Sequence, residues 1–193
     1  MHGNTLAQLG ISYVSTSINA IESLESYTLV DIIMGKEKGE KTDTIGCIPM
    51  HLRKAIETYT EQGGKILLAG SYIASDMRHT CDTAFTHNVL HYRYKTEKAS
   101  TCGRINFQYN ILPTQQYEYY TKPNPQVIEC EWPDGIEPMT GGVRIARYDD
   151  TYVNAGVAYR DDKNRMIILP FMLESVKDFD ALYSNCIKWL NND

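Results

Sequence analysis

Apolar residues run without alternation through Ile66, Leu67 and Leu68, the pattern of a strand covered on both faces, as in a parallel sheet flanked by helices. Ala69, Gly70 and Ser71 follow and are all small. A strand from Lys65 therefore ends there in a tight turn, where a ligand or a second backbone can approach closely in an open α/β sheet. Upstream, Tyr27–Gly35 predicts another strand, with Leu29, Val30, Ile32 and Ile33 apolar and Gly35 as its stop. Between the two, Pro49 suits the first turn of a helix, Leu52, Ala55, Ile56 and Tyr59 recur at helical spacing, and Gly63 and Gly64 end it. The charged stretch Lys36–Thr44 reads as a solvated loop. The unit Tyr27–Gly70 is thus expected to be a right-handed crossover between two parallel strands.

Beyond the turn, Phe85, Val89 and Tyr92 predict a helix over Asp82–Tyr94. Ile105, Phe107, Tyr109 and Ile111 alternate with polar residues and predict a strand with one wet face. Residues Pro113–Pro125 form a Tyr- and Gln-rich connection, Gln126–Trp132 alternates again, and Pro133–Pro138 (PDGIEP) reads as a turn. Val143–Tyr148 and Asn154–Arg160 predict short strands, the second joined through Asp161–Asn164 to Arg165–Phe171 in a closing antiparallel hairpin. Val176, Phe179, Tyr183, Cys186, Ile187 and Leu190 form one stripe of an amphipathic helix over Glu174–Leu190. The expected architecture is a three-layer α/β/α sandwich on a mixed sheet. Asn4–Leu9 reads as a short helix or a tail, and nothing before Ile11 supplies the usual first strand. The 193 residues are therefore expected to form one α/β domain cut from a longer protein.

Composition narrows the function classes. A hydrophobic content of 42% supports a core without staples, and a formal charge of −5 with no basic cluster argues against nucleic acid as a partner. No run approaches membrane-spanning length, so no membrane span is expected, and Met1–Gly10 lacks the pattern of a signal peptide. Cys47, Cys81, Cys102, Cys130 and Cys186 are scattered, which suits isolated thiols better than a disulfide framework or a zinc site.

In order and spacing, YTLVDIIMGKEK, the helix ending in Gly63–Gly64, KILLAGSYIASD, AGVAYR and IILPFMLES resemble a domain near the carboxyl end of large bacterial proteins often labelled xanthan lyase or N-acetylmuramoyl-L-alanine amidase. That domain is similar in fold to class I glutamine amidotransferases, so the resemblance implies a flavodoxin-like sandwich. It also implies a secreted or cell-surface parent protein linked to polysaccharide or cell-wall processing. In active amidotransferases a Cys occupies the turn after the strand equivalent to KILLAG, and a later strand ends in FHPE. Here the turn carries Ser71 after Gly70, and the later stretch reads Phe171, Met172, Leu173, Glu174. Met172 thus stands at the position of the base, and a thioether cannot shuttle a proton. Loss of one triad member leaves a deficit on the order of 10³ or more, so a degenerate, non-catalytic accessory or interaction domain is expected.

The remaining candidates can be weighed from the residues. Ser71 and Glu174 are the possible catalytic pair, with Gly70, Ser71 and Tyr72 as a possible ligand-binding turn; AGSYIA lacks the GxSxG spacing, which favours a turn or capping serine and, for Glu174, a helix-start acid. A serine hydrolase would need a histidine from elsewhere, such as His79 or His51. His87 and His91, with His79, Cys81 and Asp76, could be drawn as a zinc site, but HNVLH lacks the HExxH glutamate, so no metal is expected. Tyr117, Tyr119, Tyr120 and Trp132 are candidates for a sugar-stacking platform, although no period places them on one face. No phosphate loop is present, since Gly141 and Gly142 precede neither a helix nor a lysine. The expectation is no cofactor, and as partners the other domains of the parent protein and a glycan or cell-wall ligand.

Overall fold

The computed structural model describes residues 1–39, 46–79, 82–123, 125 and 127–192; most of the expected charged loop beyond Gly39 lies outside them. A seven-stranded sheet dominates the molecule, in the order β1 (Val30–Gly35), β2 (Lys65–Gly70), β9 (Arg165–Leu169), β8 (Asn154–Arg160), β7 (Val143–Tyr148), β4 (Arg104–Phe107) and β5 (Gln115–Glu118). β1, β2 and β9 run parallel, with Ile66 opposite Val30 on one side and Met166 on the other. Every pairing from β9 to β5 is antiparallel. β3 (Tyr92–Thr96) and β6 (Gly135–Pro138) form a separate antiparallel ribbon.

The unbroken apolar run of β2 has the expected cause. Leu67 and Ala69 enter one core together with Ile167 and Leu169 of β9, whereas Ile66 and Leu68 enter the other with Met166 and Ile168. Helix α3 (Phe179–Asn191) covers the first face with Phe179, Leu182, Tyr183, Cys186, Ile187 and Leu190, and α1 (His2–Gln8) packs against it. Helix α2 (Met50–Glu61) covers the second with Leu52, Ile56 and Tyr59. Each fully buried Leu or Ile side chain contributes about 1.5–3 kcal/mol relative to exposure, so these two interfaces hold the central strands in place.

A flavodoxin-like three-layer α/β/α sandwich is not what forms. The molecule is a curled, open mixed sheet with few helices. The crossover β1–α2–β2 is present, but β2 reaches its other parallel neighbour, β9, only after the antiparallel strands and the β3–β6 ribbon have intervened.

Local expectations are corrected in the same places. The helix expected over Asp82–Tyr94 is a single wide turn, Phe85–Val89, followed by β3. His91 adopts a left-handed conformation (φ 57°), which breaks the helical path. The expected turn at Pro133–Pro138 contains strand β6. There Gly135 lets the backbone lie against Val153, with a Cβ at that position only 3.0 Å from the Thr96 methyl. Gln126–Trp132 forms no strand among its described residues. β4 stops at Phe107 because Tyr109 and Asn110 both turn left-handed. Glu174 sits in a short turn, Leu173–Ser175, ahead of α3 rather than within it.

Candidate functional site

β2 delivers Gly70, Ser71 and Tyr72 to the carboxyl end of the parallel strands. A Cβ on Gly70 would lie 2.6 Å from the Met34 Cβ, so only glycine lets β1 and β2 approach this closely. The Ser71 N–H donates to Gly35 O (2.9 Å), which extends the β1–β2 pairing into the turn. The chain then coils, with Asp76 N–H bonded to Tyr72 O and Arg78 N–H to Ala74 O. The first N–H groups of such a coil have no partner within it. Asp134 supplies one: its Oδ2 accepts from Ala74 N–H (2.9 Å) and Ser75 N–H (2.7 Å).

Asp134 is completely buried. Desolvation drives its pKa up from 3.8 to about 7, opposed by the hydrogen bonds from the Ser75 N–H, the Ser75 hydroxyl and the Ala74 N–H. Its own N–H donates to Pro170 O (2.8 Å) and its carbonyl accepts from the Tyr148 hydroxyl (2.8 Å). One residue therefore ties together the segments after β2 and β9 and the end of β7. The sequence does not single Asp134 out, because Pro133–Asp134–Gly135 looks like an ordinary turn.

Ser71 is 1% exposed. Its Oγ lies 3.3 Å from Cys130 Sγ, and Cys130 is itself fully buried, its thiol pushed up to about 11 by that burial. No imidazole hydrogen-bonds Ser71 among the described residues. His51 Nε2 contacts Ile18 O (3.0 Å) at the start of α2; the side chain of His79, and all of Cys81, lie outside the described residues. Tyr72 is half-buried, with the Lys38 ammonium 3.7 Å from its ring centre. Met172 is buried, near Gly35.

Glu174 meets a histidine, but not at Ser71. Its Oε1 is 3.5 Å from His2 Nε2, whose Nδ1 contacts Asp31 Oδ2 at 2.6 Å; the Tyr183 hydroxyl donates to the same Oδ2 (2.7 Å). Burial opposes charging of His2, yet the hydrogen bonds to Asp31 and Glu174 outweigh it and hold the imidazole up at about 9. The rings of Phe179 and Tyr183 pack against it at 4.9 and 4.6 Å. This arrangement fastens α1 to β1 and to the approach to α3.

The other candidates are dispersed. His91 Nδ1 bonds Thr140 O (2.8 Å) and the ring stacks on Tyr159, while Asp76 accepts from Gly39 N–H (2.9 Å); among the described residues no group of three or more His, Cys, Asp or Glu side chains is placed so that it could hold a metal ion. Tyr117 and Tyr119 are buried against Phe107 and Phe171, so they share no exposed platform with Trp132. Among the described residues no helix is long and apolar enough to cross a membrane.

No protein-family model and no curated protein matches the chain. Solved structures do. A cold-adapted β-galactosidase from Rahnella sp. R3 superposes with a TM-score of 0.62 at 14% identity, over 97% of this chain and 26% of that one. A β-galactosidase from Bacillus circulans sp. alkalophilus gives 0.60 at 14% identity over 97% and 26%. Gan42B, a GH42 β-galactosidase from G. stearothermophilus, gives 0.59 at 11% identity over 97% and 24%. These neighbours overturn the assignment to a glutamine amidotransferase-like domain of xanthan lyase or amidase proteins. At such identities the likeness concerns fold alone: the chain has the fold of a stretch about a quarter as long as the β-galactosidases it matches.

Proposed function

We propose that this chain is a non-catalytic accessory domain of a larger carbohydrate-active protein. The observation that carries the proposal is the state of Ser71: inaccessible, in contact with a protonated thiol, and without an imidazole partner among the described residues. A serine nucleophile needs a base within about 3 Å and room for an acyl group; this turn instead uses its polar groups to join segments. Glu174 serves the attachment of α1, and Gly70 and Tyr72 shape the turn. The carbohydrate half of the proposal draws on the activities of the fold neighbours, β-galactosidases of which a chain this size would form one part.

The purified chain, assayed with aryl β-galactosides, other aryl glycosides and glutamine, is expected to give background rates. Turnover that disappears in Ser71→Ala would overturn the proposal.

A further inference from the structure

At the opposite end of the sheet, where β9 begins, a cleft of about 380 Å³ opens between the last turns of α2, the turn before β3, and the β8–β9 hairpin. Glu57, Glu61, Asn88, His91, Tyr159 and Asn164 are among the residues that line it. The two glutamates are four residues apart on α2 and so lie on one helix face. The Glu57 carbonyl accepts from the Thr60 hydroxyl (2.9 Å), but neither carboxylate has a hydrogen bond or ion pair among the described residues, and none of the residues lining the cleft is Lys or Arg. His91 is 7% exposed and stacks face to face on Tyr159, with centroids 3.4 Å apart and planes at 6°. Thr140 O can only accept, so His91 Nδ1 carries the proton in the 2.8 Å contact, and Nε2 is left as an acceptor without a partner. Desolvation lowers the pKa of this ring, which keeps that lone pair available.

The lining of the cleft is therefore rich in acceptors, carries two carboxylates and includes two aromatic rings, while Asn164 also borders a neighbouring recess lined by Lys65, Arg160, Lys163 and Arg165. Between the two glutamates an anionic sugar is disfavoured by like charge. A hydroxylated ring can satisfy the amides and pack on the aromatic edge, and a protonated amine gains charge-assisted hydrogen bonds to the carboxylates. We propose that this cleft binds an amino sugar, with the ammonium between Glu57 and Glu61 and a ring hydroxyl donating to His91 Nε2. The site names the ligand class for the carbohydrate half of the proposed function and rests on that half.

The test is a titration of isotope-labelled chain by nuclear magnetic resonance with glucosamine, glucose, glucuronate and ethanolamine. Glucosamine should give saturable shifts at the amides of Glu61, Asn88, His91 and Asn164. It should bind about tenfold or more tightly than glucose and ethanolamine, equivalent to about 1.4 kcal/mol or more, while glucuronate shifts none of them. Glu57→Gln combined with Glu61→Gln, both on the solvent side of α2, should lower glucosamine affinity at least about tenfold with an unchanged melting temperature. Absence of saturable glucosamine shifts, equal binding of glucuronate, or full affinity in the double variant would overturn the proposal. Binding of neutral oligosaccharides elsewhere on the chain, with none of glucosamine, would sink this site yet leave the carbohydrate reading intact. Ethanolamine binding as tightly as glucosamine would remove the sugar from the inference altogether.

Discussion

Asp134 shows how much one buried side chain can organise. Its carboxylate takes up the free N–H groups of the turn after Ser71, and its backbone bonds the segments after β9 and at the end of β7. The arrangement has a cost that depends on pH. Because burial raises the folded pKa from 3.8 to about 7, the folded chain binds the proton more tightly than the unfolded one. Stability from this group is greatest below about pH 4 and is lost as pH rises toward 7, by up to about 4 kcal/mol. Asp134→Asn keeps an acceptor oxygen but cannot ionise. Urea unfolding at a series of pH values should show the variant gaining on the native chain between pH 4 and 7; parallel profiles would contradict the account. Nothing in the sequence distinguishes Asp134 from a turn aspartate, because its partners are 59 and 60 residues away. Ser71 was visible as the residue at the end of a buried strand, whereas its contact with Cys130 was not, for the same reason of distance.

Elements were legible where burial and periodicity agree. β2 and α2 follow from runs and spacing whose cause is local, and the structure places Ile66, Leu68 and Ile56 in one core as that spacing requires. The sequence conceals β3 because Phe85, Val89 and Tyr92 also fit a helical period. A left-handed His91 decides the matter, held by Thr140 and Tyr159 from distant segments. The sequence marks α1 only as a short helix or a tail, since its seven residues are too few to be stable alone. Its position comes from His2, held between Asp31 and Glu174, and from the Thr5 hydroxyl bonded to Asp180. The raised His2 pKa gives a second prediction. Its contribution is fully present below about pH 6.5 and is lost as pH rises through about 9, with an upper bound on the order of 3 kcal/mol. The native chain should therefore lose more stability than His2→Gln between pH 6 and 10, as read by chemical denaturation. Equal losses would mean that the cluster does not carry the charge assigned to it.

At the scale of the molecule, the sequence marks which strands are buried on both faces but not which strands become neighbours. β9 pairs parallel with β2 across a separation of about a hundred residues, and β4 joins β7 rather than the strand that precedes it in sequence. Those pairings turn an expected layered sandwich into a curled mixed sheet, and they bring the Cys130 and Asp134 segments over the end of β2 where a substrate would otherwise enter. The fold shared with part of several β-galactosidases thus encloses a strand end that is sealed. That closure is the central claim, and intact-mass measurement after prolonged exposure of the native chain to a fluorophosphonate tests it most directly. The account predicts an unmodified mass for native chain and Ser71→Ala alike. A single stoichiometric adduct on the native chain, absent from Ser71→Ala, would contradict it.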